Sequence, residues 1–112
     1  SQGDDVLVNA AKESLRHRFQ EEMNLNILAQ LLNVSPRTLS RRFQNATGAS
    51  PMHYLQKLRL QNAKQLLANT THSIEHISQQ CGFNSASVFG RAFKSAFNKA
   101  PLQYRKFIAS NP

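Results

Sequence analysis

The sequence lacks the long apolar segments and the multiple cysteines that mark several classes of protein. None of the apolar runs in its 112 residues approaches the roughly 18 residues that a membrane-spanning helix needs. This argues against a transmembrane segment and a signal peptide. Cys81 is the only cysteine, so no intrachain disulfide can form. The lack of an oxidative framework suits a cytoplasmic protein.

Acidic residues are scarce and unevenly placed. Six Asp and Glu stand against 14 Lys and Arg, and five of the six lie in the first 25 positions. From residue 26 onward Glu75 alone opposes eleven Lys and Arg, which gives that segment a charge of +10. Such a segment attracts polyanions, and nucleic acid is the commonest polyanionic partner of a basic domain. By itself the charge fits a solvated, soluble surface equally well.

The patterns that enzymes and metal sites require are also missing. The sequence has no nucleophile elbow, no phosphate-binding glycine loop and no Cys–His pair in a catalytic context. His72 and His76 are four residues apart near Cys81, but this spacing straddles a helix cap and has no matching acidic or cysteine pair. Surface histidines and a small core cysteine are the preferred interpretation, with redox sensing by Cys81 as the alternative. We predict no enzyme activity, metal or cofactor.

The sequence does contain an internal repeat. A pattern of short helix, turn and second helix around residues 24 to 54 recurs around residues 73 to 104. Leu28 matches Ile77 at an offset of 49; after one inserted residue, Asn84, the offset becomes 50 and Arg41 matches Arg91. An insertion confined to a turn, with apolar positions matched on both sides, predicts duplicated helix-turn-helix units.

Apolar spacing and capping residues predict an all-α chain of seven helices. Asn33 suits a left-handed turn, Ser35 followed by Pro36 is a strong helix start, and Gly48 is a helix stop. In the second unit Ser73 caps the first helix, and its turn carries Gly82. With the fifth helix beginning after Ser73, the other predicted helices span about 5–22, 25–32, 36–47, 51–68, 86–97 and 101–108.

Over residues 20 to 108 the chain resembles the DNA-binding domain of the AraC/XylS family of bacterial transcription regulators. The resemblance lies in the strings LAQLLNVSPRTLSRRFQNATG, YLQKLRLQNAKQLL and ISQQCGFNSASVFGRAFKSAF followed by PLQYR. It implies one DNA-binding domain over 1–112, with a first helix-turn-helix unit at 24–54, a connector helix and loop at 55–72, and a second unit with a terminal helix at 73–108. It also implies two recognition helices in successive major grooves and a nucleoid-associated protein. SPRTLSRRF is similar to the subfamily with a DJ-1/PfpI-like amino-terminal domain.

The predicted DNA-binding residues lie on the second helix of each unit. That helix enters the major groove with its amino-terminal turns leading, so polar residues there that point away from the core are candidates. Arg41 lies four residues beyond Arg37 on one face, and a guanidinium can bond both acceptors of a guanine edge. Thr38 and Arg42 lie to the sides and suit phosphates. The resemblance assigns base reading to Arg37, Ser40 and Arg41, and to Ala86, Ser87, Gly90 and Arg91; Ser85 and Lys94 complete the set.

The second set of base readers has fewer polar groups. Ala86 offers only a methyl contact and Gly90 offers no side chain, so polar reading falls to Arg91 and Ser87. We therefore predict an asymmetric reader, in which the first unit supplies most of the sequence discrimination. Gly90 also lowers helix propensity by about 1 kcal/mol relative to alanine. Either it allows close approach to DNA, or the helix tolerates it.

Two alternatives to sequence-specific binding of double-stranded DNA remain open. One is a non-specific architectural DNA binder; the other is a module that contacts RNA polymerase through Lys57 and Arg59. Ser78 and Asn98 depart from the family pattern, which has alanine and glycine at these positions. We expect Ser1 to Gly3 to be a cloning remnant and the chain to be a monomeric fragment of a regulator that dimerises through a domain outside it.

Overall fold

The computed structural model describes residues 5–111, which form seven α-helices and no strand. The predicted all-α class, with a long connector helix, is confirmed. The residues assigned to a cloning remnant lie outside the described range. In chain order the helices are α1 Val6–Arg18, α2 Leu25–Leu31, α3 Pro36–Thr47, α4 Pro51–Asn69, α5 Ile74–Gln80, α6 Ala86–Phe97 and α7 Pro101–Ser110.

The chain divides into two compact units after Leu58, inside α4. The first unit contains α1, α2, α3 and the start of α4, and their apolar faces form one core. One apolar stripe of α1 and the inward residues of α3 are parts of it. The buried residues are Val8, Ala11, Leu15, Leu28, Ala29, Leu39, Phe43 and Leu55.

The second unit has a core of its own, built from the rest of α4 and from α5 and α6, with Tyr104 of α7 packed against it. Cys81 is fully buried in this core, as predicted, and burial raises the pKa of its thiol. A buried thiol with a raised pKa has little thiolate character, which disfavours redox sensing. The buried residues are Leu60, Ala63, Leu67, Ile77, Cys81, Phe83, Phe89 and Phe93.

The turns of the two repeats are closed by the same backbone hydrogen bond. In the first unit the Val34 amide donates to the Ala29 carbonyl at 3.1 Å, and in the second the Phe83 amide donates to the Ser78 carbonyl at 3.0 Å. The turn before each of these amides contains a left-handed residue, Asn33 at φ 58° and its equivalent glycine at φ 87°. Both turns therefore close in the same way despite the one-residue insertion that follows.

The second helix of each unit begins and ends at equivalent residues. Ser35 and Ser85 each accept a backbone amide at 3.1 Å, which caps the first turn. Gly48 and Asn98 are both left-handed, and each donates its amide to the carbonyl four residues earlier at 2.8 Å. Asn98 thus takes the conformation expected of the glycine it replaces. As a result α3 and α6 have the same length, 12 residues.

An aromatic contact is also duplicated. The rings of Phe43 and Tyr54 meet edge to face with centroids 5.8 Å apart, and those of Phe93 and Tyr104 do so at 5.5 Å. Edge-to-face pairs of this kind stabilise a core by about 0.5–1.5 kcal/mol beyond the burial of their area. These rings therefore hold α3 against α4 and α6 against α7, and they act as core residues.

Two helix ends differ from the sequence prediction by two residues or more, whereas the other bounds given agree within one residue. The first helix was predicted to reach Glu22 but ends at Arg18, where the amide of Glu21 donates to the Arg18 carbonyl in a tighter turn. Five residues then separate the helix from Asn24, which is extended at φ −146° and caps α2. The terminal helix continues two residues beyond the predicted Ile108, to Ser110.

Candidate nucleic-acid interface

Four polar side chains follow one another along the outer surface of α3. Arg37, Ser40, Arg41 and Gln44 are spaced at intervals of three, one and three residues, which places them on one face of a helix. We call this set the α3 polar face. With Leu25 and Pro36 these four residues line an open cleft of about 490 Å3. The structure therefore brings together the three predicted base readers of the first unit.

The side chain of Thr38 is engaged at the start of α3. Its Oγ1 accepts the hydroxyl of Ser35 at 2.9 Å, and its amide donates to the same Ser35 hydroxyl at 3.1 Å. Thr38 is partly buried as a result. This arrangement holds the first turn of α3 in place, and a phosphate contact by Thr38 stays a prediction.

Arg42 has a partner that the sequence did not reveal. It donates from Nε to Oδ2 of Asp5 at 3.1 Å and from Nη2 to Oδ1 at 2.7 Å. Two parallel bonds of this kind are the strong form of an arginine–carboxylate pair. The hydrogen bond from Arg42 lowers the pKa of the Asp5 carboxyl below its ordinary value. A phosphate that contacted Arg42 would therefore have to share it with Asp5.

The outer surface of α6 repeats the spacing of the α3 polar face. At an offset of 50, the equivalent residues are Ser87, Gly90, Arg91 and Lys94, which we call the α6 polar face. Arg91 donates from Nη1 to the Ser87 hydroxyl at 3.0 Å, so two of the predicted readers are bonded to each other. Apart from its chain neighbours and the backbone of its own helix, no heavy atom of residues 5–111 lies within 4 Å of the place that a Cβ on Gly90 would occupy. Packing within the described residues therefore leaves room for a larger side chain at position 90.

The two other predicted residues of α6 lie at its beginning. Ser85 is the cap, and its hydroxyl accepts the amide of Val88. Ala86 is partly buried and carries only its methyl group. Neither residue belongs to the four-residue face, so their DNA contacts stay predictions.

Gln44 lines the same cleft but is not among the residues predicted from the sequence. The signal for it was present, because Lys94 was included and Gln44 is its equivalent at the same offset of 50. Applying the repeat to every position of the second helix, instead of to apolar residues and arginines, would have found it.

The acidic end of the chain is locally paired. Glu13 accepts from Arg16 at 3.0 Å and lies 2.9 Å from the ring of His17, whose hydrogen bond lowers the pKa of Glu13. Arg18 donates to Glu21 at 3.4 Å. These exposed pairs contribute little stability. Most of the acidic residues lie in the first 25 positions, outside α3 and α6.

His72 and His76 contact each other through their rings. Their rings meet edge to face at 4.8 Å, and Nδ1 of His72 lies 3.1 Å from Oε1 of Gln80. Between residues 5 and 111 no group of three or more His, Cys, Asp or Glu side chains is arranged to hold a metal ion. In that same range no helix has both the length and the apolarity to cross a membrane.

Two helix pairs, each with a left-handed turn and a polar second helix, define a helix-turn-helix protein. The sequence profile described as a helix-turn-helix domain matches residues 28–106. The chain belongs to the AraC-type helix-turn-helix family of DNA-binding domains, which confirms the resemblance seen in the sequence.

Relatives and solved structures agree with this assignment. The HTH-type transcriptional activator RhaS of Salmonella schwarzengrund (strain CVM19633) is 34% identical over 102 residues, which cover 91% of this chain and 37% of RhaS. The chain therefore spans little more than a third of the curated relatives it matches. An AraC-type transcriptional regulator from Chromobacterium violaceum is 31% identical, with 95% of each chain covered and a TM-score of 0.85. The DNA-binding domain of AdpA, solved with a target DNA, is 25% identical, covers 93% of this chain and 94% of its own, and has a TM-score of 0.88.

Proposed function

We propose that this chain binds double-stranded DNA at specific sequences as part of a bacterial transcription regulator. The observation that carries the proposal is the α3 polar face, whose spacing recurs on α6. In a helix-turn-helix protein these faces point at base edges in the major groove. We place α3 and α6 in successive major grooves. The AdpA domain in complex with its target DNA supports a DNA ligand, and the name of RhaS supports a role in transcription.

The two faces have different capacities for reading bases. The α3 polar face offers two exposed guanidinium groups, from Arg37 and Arg41, and each has the geometry to bond a guanine edge bidentately. On the α6 polar face Gly90 contributes no side chain, and Arg91 is bonded to Ser87. The first unit therefore supplies most of the sequence discrimination. The second unit contributes Arg91 and contacts to the DNA backbone.

Selection of binding sites from randomised duplex DNA at two salt concentrations tests this function. We expect a bipartite site with its two elements about one helical turn apart. Arg41→Ala should reduce the preference for one guanine by about 1–3 kcal/mol. Arg16→Ala, which removes the same charge from α1, is the control and should leave base preference unchanged.

Two results would count against the proposal. If Arg41→Ala weakened binding equally on every sequence, Arg41 would be a phosphate contact. If the wild-type chain enriched no motif and bound in a steeply salt-dependent way, non-specific architectural binding would explain the data better.

A contact with RNA polymerase would need a surface apart from the two polar faces. Lys57 is exposed on α4 and is our candidate, whereas Arg59 is partly buried, which lowers the pKa of its guanidinium. Lys57→Glu should leave DNA affinity intact and reduce activation in a reporter assay. Equal loss of DNA affinity and activation would assign Lys57 to the DNA surface instead.

A further inference from the structure

We propose that Gln44 is a base-reading residue that recognises adenine in the major groove. The inference rests on the proposed function, since it assumes that the α3 polar face meets base edges. It adds a specific residue and a specific base to that function. It also explains why a neutral amide stands at a position where the second unit carries a lysine.

The position of Gln44 supports this role. Its side chain is exposed and lines the same cleft as Arg37, Ser40 and Arg41. Its backbone is fixed, because its carbonyl accepts the Gly48 amide at 2.8 Å and α3 continues beyond it. Gln44 lies seven residues after Arg37, about 10.5 Å along the helix axis.

The chemistry of the amide favours a base over a phosphate. Gln44 offers a donor at Nε2 and an acceptor at Oε1, which match N7 and N6 of adenine in a bidentate pair. A phosphate oxygen can use only the donor, so it would leave the acceptor without a role. Lys94 has three donors, a charge and no acceptor, which suits a phosphate or a guanine. The same position in the two units therefore has two different recognition chemistries.

The neighbouring residue provides a matched control. Asn45 is also exposed, polar and carried by α3, but it does not line the cleft. A change at Asn45 alters the polarity of the helix surface without touching the α3 polar face. Gln44→Ala and Asn45→Ala should both fold, since alanine is the best helix former.

The test uses the best site selected by the wild-type chain and measures affinity by fluorescence anisotropy. Each adenine in the element of the site that α3 contacts is replaced in turn by 7-deazaadenine, which lacks the N7 acceptor. At one position we expect the wild-type chain and Asn45→Ala to lose roughly 5- to 150-fold in affinity. Gln44→Ala should bind the normal and the modified duplex equally. Gln44→Glu should shift the preference at that position from adenine to cytosine, whose N4 amino group donates to a carboxylate.

The possible failures are distinguishable. If no motif is selected at all, the proposed function fails and the inference fails with it. If a motif is selected and Gln44→Ala loses affinity equally on every duplex, Gln44 contacts phosphate and only the inference is overturned. If a motif is selected and Gln44→Ala behaves like the wild-type chain with 7-deazaadenine, Gln44 reads no base and the inference is again overturned.

Discussion

Ser78 offers a direct measurement of what a buried hydroxyl costs this fold. It is fully buried, with 0% exposure, and within residues 5–111 its Oγ has no hydrogen-bond partner. Its equivalent in the first unit is Ala29, which is 1% exposed. Burial of a hydroxyl without a partner costs about 1–3 kcal/mol in proteins. Ser78→Ala should therefore raise the free energy of unfolding by about 1–3 kcal/mol, and Ala29→Ser should lower it by a similar amount.

The two opposite substitutions isolate the effect of the hydroxyl on stability because the backbones at the two positions make equivalent hydrogen bonds. The Ser78 carbonyl accepts the Phe83 amide, and the Ala29 carbonyl accepts the Val34 amide, at 3.0 and 3.1 Å. Ala29 lies in α2 and Ser78 in α5, the first helix of each helix-turn-helix pair, and both face a core. The change in side-chain volume is one oxygen atom in either direction. Helix propensity adds only a few tenths of a kcal/mol in favour of alanine.

Urea denaturation measures both variants. The chain has two tyrosines and no tryptophan, and Tyr54 lies in the first unit while Tyr104 lies in the second. Tyrosine fluorescence in Tyr104→Phe and Tyr54→Phe backgrounds therefore reports each unit separately. We expect the denaturation midpoint of the second unit to rise in Ser78→Ala, with the slope unchanged. A midpoint that falls in Ser78→Ala, while Ala29→Ser has no effect, would show that the Ser78 hydroxyl has a stabilising partner.

Three further predictions concern the polar residues. Gly90→Ala should stabilise α6 by about 1 kcal/mol in thermal unfolding, since the added Cβ meets open space beside the helix. A loss of DNA affinity in this variant would show that glycine allows close approach to DNA, and unchanged affinity would show that the helix merely tolerates it. Arg105→Lys should lose at least two of three bonds to backbone carbonyls and about 1–3 kcal/mol in urea, with Lys106→Ala as a neutral control. The lowered pKa of Asp5 adds stability above pH 3.8 that is lost as pH falls through the folded-state pKa; acid titration of Arg42→Ala should lack this loss.

The sequence predicted helix bounds best where capping residues stand at both ends of the helix. The bounds of α3 and α6 are confirmed because Ser35 and Ser85 cap their starts and Gly48 and Asn98 take left-handed conformations at their ends. The predicted end of α1 is too late because residues 19–22 contain neither glycine nor proline to mark the true end. Local signals therefore predicted boundaries only where such signals exist.

The side-chain partners could not be predicted because they join residues far apart in sequence. Arg42 and Asp5 are 37 residues apart, and Arg105 reaches carbonyls 33 to 38 residues earlier in the chain. Helical periodicity indicates which face a residue occupies, but it does not identify the residue opposite. Gln44 differs from these partners because the sequence repeat alone places it: it is the equivalent of Lys94 at an offset of 50.

The duplication has preserved the scaffold of each unit and changed the residues that face outward. Caps, left-handed turns and the edge-to-face aromatic pair recur, whereas only one of the four outward positions, Arg41 and Arg91, keeps its residue type. A shared frame with different side chains cannot select the same bases twice, because base readout depends on donors and acceptors. The DNA site should therefore consist of two unlike elements that share a guanine at equivalent places, and it should not be a direct repeat. The four pairs of positions are Arg37 and Ser87, Ser40 and Gly90, Arg41 and Arg91, and Gln44 and Lys94.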